Sequence, residues 1–385
     1  MVTQIAAPSA GSATGSTTTQ SESGRLAALH NLGQSIWLDN ISRSLIQTGE
    51  LGRLADEGVL GVTSNPTIFE KAIAGSADYD AQLAPLARTG KDPESIFEAL
   101  AISDIQDAAD VLRPVYDRLD GADGYVSLEV SPRLARDTAG TAAAATRLFA
   151  AVGRPNVMIK IPATIEGLPA IADAIGQGIN VNVTLLFDVD RYEAVANAYI
   201  EGLERLAAAG NPLDRVASVA SFFVSRVDTL VDSQLGDSDV ALKGQAAIAN
   251  AKLAYERFER IFSSERFAGL RAKGARVQRM LWASTSTKNP AFPDTMYVDP
   301  LIGPDTINTV PPQTLDAIRA RATVRVSIRE GLSEAHALAR SLVDAGIDLK
   351  AVAARLEQEG VASFAKSFDD LLASIEKKAA AVTVG

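Results

Sequence analysis

Lysine, carboxylate and hydroxyl are the groups that this chain can bring to bear on a reaction. It has no cysteine, which removes disulfides, thiolate nucleophiles and Cys-ligated zinc. Its two histidines, His30 and His336, stand far apart and in no metal-ligand spacing, so neither a histidine triad nor a metal site is expected. Attention therefore falls on residues 157–164, Val-Met-Ile-Lys-Ile-Pro-Ala-Thr, an apolar run with Lys160 in its middle. Such a run reads as a strand of a parallel sheet, buried on both faces. An ammonium there is costly unless it is paired or gives up its proton. Two readings compete: a snorkelling or ion-paired lysine, and a desolvated amine able to form a Schiff base.

Whatever Lys160 does depends on the elements that hold it. Strand-like runs are expected at 35–39, 61–65, 124–130, 157–162, 180–187, 216–223, 277–284 and 296–301. Between them lie amphipathic stretches at 41–57, 93–119, 132–152, 168–175, 191–209, 239–262 and 313–321, and a short helix is expected at 26–32. Residues 324–378 read as two or more further helices packed on the outside. Eight strands with helical spacers predict a (β/α)8 TIM barrel with extra helices at both ends. The alternative is an open doubly wound sheet, but no Gly-x-Gly-x-x-Gly follows the first strand and there is no Walker-type loop.

Strand parity then gathers the polar residues. In a barrel one face of each strand points inward. Ser127 and Glu129 share one face of the third strand; Lys160 shares its face with Met158 and Pro162; Asn180, Asn182 and Thr184 share a face of the fifth. The first strand ends at Asp39 and the second at Asn65, while the sixth carries Ser218 and Ser221. If these faces point inward, Asp39, Asn65, Glu129, Lys160 and Thr184 converge at the carboxyl ends of successive strands, where barrel active sites are built. The competing reading is a satisfied buried polar network. For the whole set that would require every group to find a partner, at about 1–3 kcal/mol for each left unpaired.

Composition bounds the class. Hydrophobic residues make up 47% of the 385, enough for a large core, and the length suits a barrel with additions. The net charge of −10 comes with no cluster of lysine and arginine, so nucleic acid is not an expected partner. Residues 1–23, rich in Ser, Thr, Ala, Gly and Gln, lack the basic start and apolar run of a signal peptide and read as a disordered tail. Residues 24–385 read as a single barrel domain including the carboxy-terminal helices. No stretch has the apolar length of a membrane span, and a soluble cytoplasmic protein is expected.

Six segments in order resemble the transaldolase family. They are Trp37-Leu38-Asp39, Thr63-Ser64-Asn65-Pro66, Ser127-Leu128-Glu129-Val130-Ser131-Pro132, the run around Lys160, Asn182-Val183-Thr184-Leu185-Leu186-Phe187 and Ser221-Phe222-Phe223-Val224-Ser225-Arg226. Residues 65–73 and 283–290 resemble its longer form, which is sometimes fused to a sugar-phosphate isomerase; this chain is too short for that addition. The resemblance implies Schiff-base transfer of a dihydroxyacetone unit in the non-oxidative pentose phosphate pathway. The donor would be sedoheptulose 7-phosphate or fructose 6-phosphate, and the acceptor glyceraldehyde 3-phosphate or erythrose 4-phosphate. It implies Lys160 as the Schiff-base lysine, Asp39 as acid/base, and Glu129 and Thr184 as the pair that positions a water. Asn65 and Asn182 would contact substrate, Ser221 and Phe223 would shape the pocket, and Arg226 would hold the phosphate. Many members carry a second arginine after the seventh strand; Ser284, Ser286 and Lys288 stand there in this chain, and Lys288, with Ser284, is assigned to substrate binding. No cofactor or metal is implied, no membrane partner, and a monomer or homodimer. Two other classes are an aldolase of the same fold that releases the three-carbon unit, and a barrel that only binds sugar phosphates.

Overall fold

The computed structural model describes residues 22–383. Eight parallel strands close into a barrel in the order β1 to β8, each paired with the next and β8 with β1. In chain order, α1 (Glu22–Asn31) precedes β1 (Gln34–Leu38), and α2 (Arg43–Gln47) and α3 (Glu50–Glu57) lead to β2 (Val59–Val62). Three helices follow, α4 (Pro66–Ala74), α5 (Asp80–Arg88) and α6 (Pro93–Arg118), before β3 (Tyr125–Glu129). Then come α7 (Thr138–Val152), β4 (Val157–Pro162), α8 (Gly167–Gly176), β5 (Val181–Leu186), α9 (Val189–Ala208) and β6 (Ser218–Phe223). Helices α10 (Ser225–Gln234), α11 (Ala246–Phe262) and α12 (Glu265–Arg271) lead to β7 (Arg279–Ala283) and β8 (Thr306–Val310). The chain closes with α13 (Pro312–Arg321), α14 (Leu332–Asp344) and α15 (Leu349–Thr383).

The strands form on apolar runs, near-continuous in β4 and β7 and interrupted by inward polar residues in β5, because one face packs on helices and the other fills the barrel. Low in the interior, Trp37 occupies so much space that a Cβ on Gly61 would lie 2.5 Å from its ring, so β2 needs glycine there. The indole donates to Asp123 Oδ1 at 2.6 Å, and Arg279 Nη1 donates to Asp123 Oδ2 at 3.0 Å, neutralising that buried carboxylate. Helices start on side-chain caps: Asn65 for α4, Asp92 for α6, Asp137 for α7 and Asp188 for α9, each accepting a backbone N–H of the first turn.

Several expected boundaries shift. The eighth strand is not 296–301; that segment is a turn running into a short 3-10 helix (Asp299–Leu301), and β8 lies further on. Buried Tyr297, Val298 and Leu301 made 296–301 look like a strand, but Pro300 cannot donate to a ladder, and Trp282 Nε1 donates instead to the Leu301 carbonyl at 3.0 Å. Residues 63–65 leave β2 because Asn65 must turn to cap α4. The helix expected at 41–57 is broken in two at Gly49, whose φ is +77°. Of the expected tail, 1–21 lie outside the described residues, and Glu22 and Ser23 begin α1.

Candidate active site

Lys160 stands near the carboxyl end of β4, 4% exposed, on the inward face. Its Nζ donates to the Ser64 carbonyl at 3.1 Å and lies 3.2 Å from Glu129 Oε2. Glu129 is its register partner on β3, which is why the two meet. Above the amine lies the ring of Phe364, 5.6 Å from Nζ, brought in by α15. That helix packs against α4, α5, α6, α10 and β5. It approaches β5 at Gly360, where a Cβ would lie 2.9 Å from Leu185 Cδ2. Leu185 is pushed out there by a left-handed φ of +60° in an irregular stretch of β5, directly after Thr184.

Lys160 opens on a cavity of about 300 Å³, at the lower end of the range for small-ligand pockets. Its wall takes alternate residues of the strands: Asp39 after β1, Thr184 of β5, Ser221 and Phe223 of β6, and Thr309 of β8. Asp39 Oδ1 accepts from Thr63 Oγ1 at 2.7 Å, and Thr63 is in turn 2.7 Å from Thr309 Oγ1. Burial raises the Asp39 carboxyl above its ordinary value, opposed first by Lys160 and then by the Thr63 hydrogen bond, Arg226 and Lys288. Burial also raises Glu129, opposed by Lys160, with the charge of Asp39 adding to the rise. Both carboxyls are thus poised to hold a proton more readily than a surface acid does. Glu129 borders a narrower space of about 20 Å³, shared with Ser64, Asn65 and Ser131, room for one water. Thr184 Oγ1 is buried and has no hydrogen-bond partner among the described residues, so its hydroxyl is open to a ligand or solvent.

Asn182 is brought beside this site but not into its wall. It is fully buried, donates from Nδ2 to Ser127 Oγ at 3.0 Å and accepts at Oδ1 from Ser221 Oγ at 2.7 Å. The chain Ser127–Asn182–Ser221 ties β3, β5 and β6 together, a positioning arrangement rather than an open contact. Asn65 lines the cavity, but its Oδ1 is taken by the Ile68 N–H at 3.0 Å, leaving its amide N–H groups for a ligand. Ser218 is absorbed in the framework, donating to the Val181 carbonyl and accepting from Gln278 Nε2, each at 2.8 Å.

The opposite side of the cavity is cationic. Arg226, in the first turn of α10, stacks its guanidinium 5.3 Å from the Phe223 ring. Among the described residues it makes no hydrogen bond or ion pair, and burial lowers its pKa from the ordinary value. Lys288, on the loop after β7, donates to Ser286 Oγ at 3.1 Å, while Ser284 Oγ is 3.0 Å from Ser225 Oγ. Burial, then the charge of Arg226, lowers the Lys288 ammonium. Sequence reasoning missed Thr63, Lys71, Thr309, Gln313 and Phe364 on this wall. Thr63 and Lys71 lie within the motifs that matched, and Thr309 is in register with inward Trp37. Phe364 gave no signal, because an apolar residue on an outer helix reads as packing.

The site thus places one buried amine between two carboxyls, with a desolvated guanidinium across a sugar-sized space: nucleophile, proton carriers and anion clamp. The sequence pattern of the family described as Transaldolase/Fructose-6-phosphate aldolase matches residues 36–375. The chain is 48% identical over 373 residues to a protein named Transaldolase from Trichodesmium erythraeum, covering 93% of this chain and 98% of that one. It is 52% identical over 357 residues to a Transaldolase of Acidothermus cellulolyticus, with 91% and 96% covered. A Transaldolase of Thermobifida fusca is 50% identical over 367 residues, with 93% and 99% covered.

Proposed function

The chain belongs to the transaldolase/fructose-6-phosphate aldolase family, and from that premise we infer that it is a transaldolase whose Schiff-base lysine is Lys160. It moves a dihydroxyacetone unit from sedoheptulose 7-phosphate or fructose 6-phosphate to glyceraldehyde 3-phosphate or erythrose 4-phosphate. The observation that carries the residue assignment is that Lys160 Nζ, on the wall of the cavity that Arg226 also lines, lies 3.2 Å from Glu129 Oε2.

Lys160 passes its ammonium proton to Glu129, the lone pair of the neutral Nζ adds to the ketose carbonyl, and one nitrogen proton moves to the new alkoxide to give the carbinolamine. Glu129 then delivers a proton to the carbinol oxygen, which leaves as water and yields the iminium. Thr184, on the strand next to β4, positions with Glu129 the water that leaves. Asp39 takes the proton of the hydroxyl on the fourth carbon. The bond between the third and fourth carbons breaks, its electron pair flows into the iminium, and the aldose phosphate departs. The enamine left on Lys160 attacks the acceptor aldehyde, Asp39 returns its proton to the new hydroxyl, and water releases the product. General acid–base help of this kind is worth about 10²–10⁴-fold. Asn65 and Ser221 contact the bound sugar, Phe223 shapes its pocket, and Arg226, assisted by Ser284 and Lys288, takes the phosphate. Asn182 acts through Ser221. This function suits a cytoplasmic enzyme that works as a monomer or homodimer; no helix among the described residues is long and apolar enough to cross a membrane.

The test separates transfer from release. With fructose 6-phosphate and varied erythrose 4-phosphate, parallel double-reciprocal lines and sedoheptulose 7-phosphate formation are expected. Free dihydroxyacetone formed as fast as fructose 6-phosphate is consumed, with or without acceptor, would make the chain an aldolase instead.

A further inference from the structure

Three cations converge on the mouth of the cavity from different elements. Arg226 comes from α10, Lys288 from the loop after β7, and Lys71 from the last turn of α4. Thr67, Ile68 and Lys71 line the same wall because residues three and four apart share one helix face. The cap at Asn65 aims that face at the cavity. Among the described residues, neither Lys71 nor Arg226 has a hydrogen bond or ion pair from its charged group, and Lys288 has only the Ser286 hydroxyl. On α15, by contrast, Lys366 pairs with Asp370 and Lys378 with Asp80. The three charges also feel one another: after burial, Arg226 depresses the Lys288 ammonium, Asp39 opposes it, and Lys71 depresses it further. Three cations without an ion pair, against the single carboxyl of Asp39 on the same wall, leave a local positive field in a chain of net charge −10, which a dianion relieves.

We propose that Lys71 is a specificity-determining residue, the third cation of the phosphate site, holding the phosphate monoester of donor and acceptor from the side opposite Arg226. This rests on the sugar-phosphate reading given above. A phosphate monoester offers three terminal oxygens. The planar fork of Arg226 can take two, and Lys288, a flexible point charge, cannot supply a second fork. Lys71 reaches the remaining side from a helix that is fixed at its start by Asn65 and held at its flank by α15, through Thr67 Oγ1 at 2.8 Å from Ser367 Oγ.

The experiment uses the full chain and its Lys71→Met and Lys71→Arg variants, with inorganic phosphate titrated by calorimetry. It adds KM and kcat for fructose 6-phosphate and borohydride trapping of unphosphorylated dihydroxyacetone. Lys71→Met is expected to weaken phosphate binding and raise KM for fructose 6-phosphate by about 10-fold each, the lower end for one charge-assisted contact. The loss should fall on KM rather than kcat, spare dihydroxyacetone trapping by comparison, and be largely reversed in Lys71→Arg. Unchanged phosphate affinity and KM in Lys71→Met would overturn the proposal and make Lys71 a solvated lysine. Equal losses with fructose 6-phosphate and dihydroxyacetone would overturn it too. Failure of the wild type to trap dihydroxyacetone would count against the Schiff-base reading alone, since phosphate calorimetry still decides on Lys71.

Discussion

At Lys160 and Glu129 the same contact serves two states. Removing either charge leaves the other buried without its partner, a costly arrangement for a resting protein. Passing a proton between them removes both charges together, which is what a lysine nucleophile requires. Arg226 stands in the opposite situation, desolvated and unpaired, so its charge is available to a ligand. Arg226→Ala should therefore raise KM for phosphorylated sugars by about 10–100-fold, the equivalent of one charge-assisted hydrogen bond, with a much smaller change for dihydroxyacetone. Steady-state kinetics on both substrates checks this; equal losses would make Arg226 structural. Lys160 was legible as the one charged residue of an otherwise apolar strand, Thr184 as an inward polar residue of β5, and Asp39 as the acid directly after β1. Asn182 was legible as inward but not as enclosed, since parity does not tell whether both ends of an amide find partners. Phe364 was not legible at all, because its place over Lys160 depends on where α15 crosses.

The elements that carry these residues were read from a near-continuous apolar run in β4 and from polar–apolar alternation in β5. They were misread where a turn buries apolar groups, as at 296–301. The helix carrying Arg226 shows how position is fixed beyond the strand. Asp228, two residues on, accepts from the Ala247 N–H at 2.7 Å and from the Tyr297 hydroxyl at 2.9 Å, tying α10 to the start of α11. Burial pushes the Asp228 carboxyl up to about 6. A carboxyl raised in the folded state holds its proton more tightly there than in the unfolded chain. It thus favours folding most below pH about 4, and that contribution is lost as pH rises through about 6. Asp228→Asn should remove this component, worth about 2–3 kcal/mol for a shift of this size. Urea melts of both proteins between pH 4 and pH 7 read it as a difference, because Asp39, Glu129 and Asp104, raised the same way, are common to both. Parallel stability curves would refute the assignment.

Over the whole molecule, the barrel and its outer helices act together through α15. Leu356, Phe364, Phe368, Leu371 and Ile375 bury their side chains under that helix, and Phe368 meets Phe97 edge-on at 5.6 Å. Each large apolar side chain is worth about 1.5–3 kcal/mol, against a total stability of about 5–15 kcal/mol. On this account the barrel and its outer helices unfold as one unit, and a chain ending at Asp348 does not fold to an active state. Calorimetry of the full chain should give a single transition. A truncated protein with a cooperative melt and wild-type turnover would show α15 to be an accessory. The barrel was legible in the spacing of its first seven strands, with the eighth misplaced at 296–301 instead of Thr306–Val310, whereas its closure by a helix from the far end of the chain was not, since helix periodicity does not say which surface is covered. The central claim is that covalent chemistry occurs on Lys160. It is tested most directly by incubating the protein with fructose 6-phosphate, reducing with borohydride and mapping the modified peptide. The account predicts a reduced dihydroxyacetone adduct on Lys160, absent in Lys160→Ala; an adduct on another lysine, or the same labelling in Lys160→Ala, would contradict it.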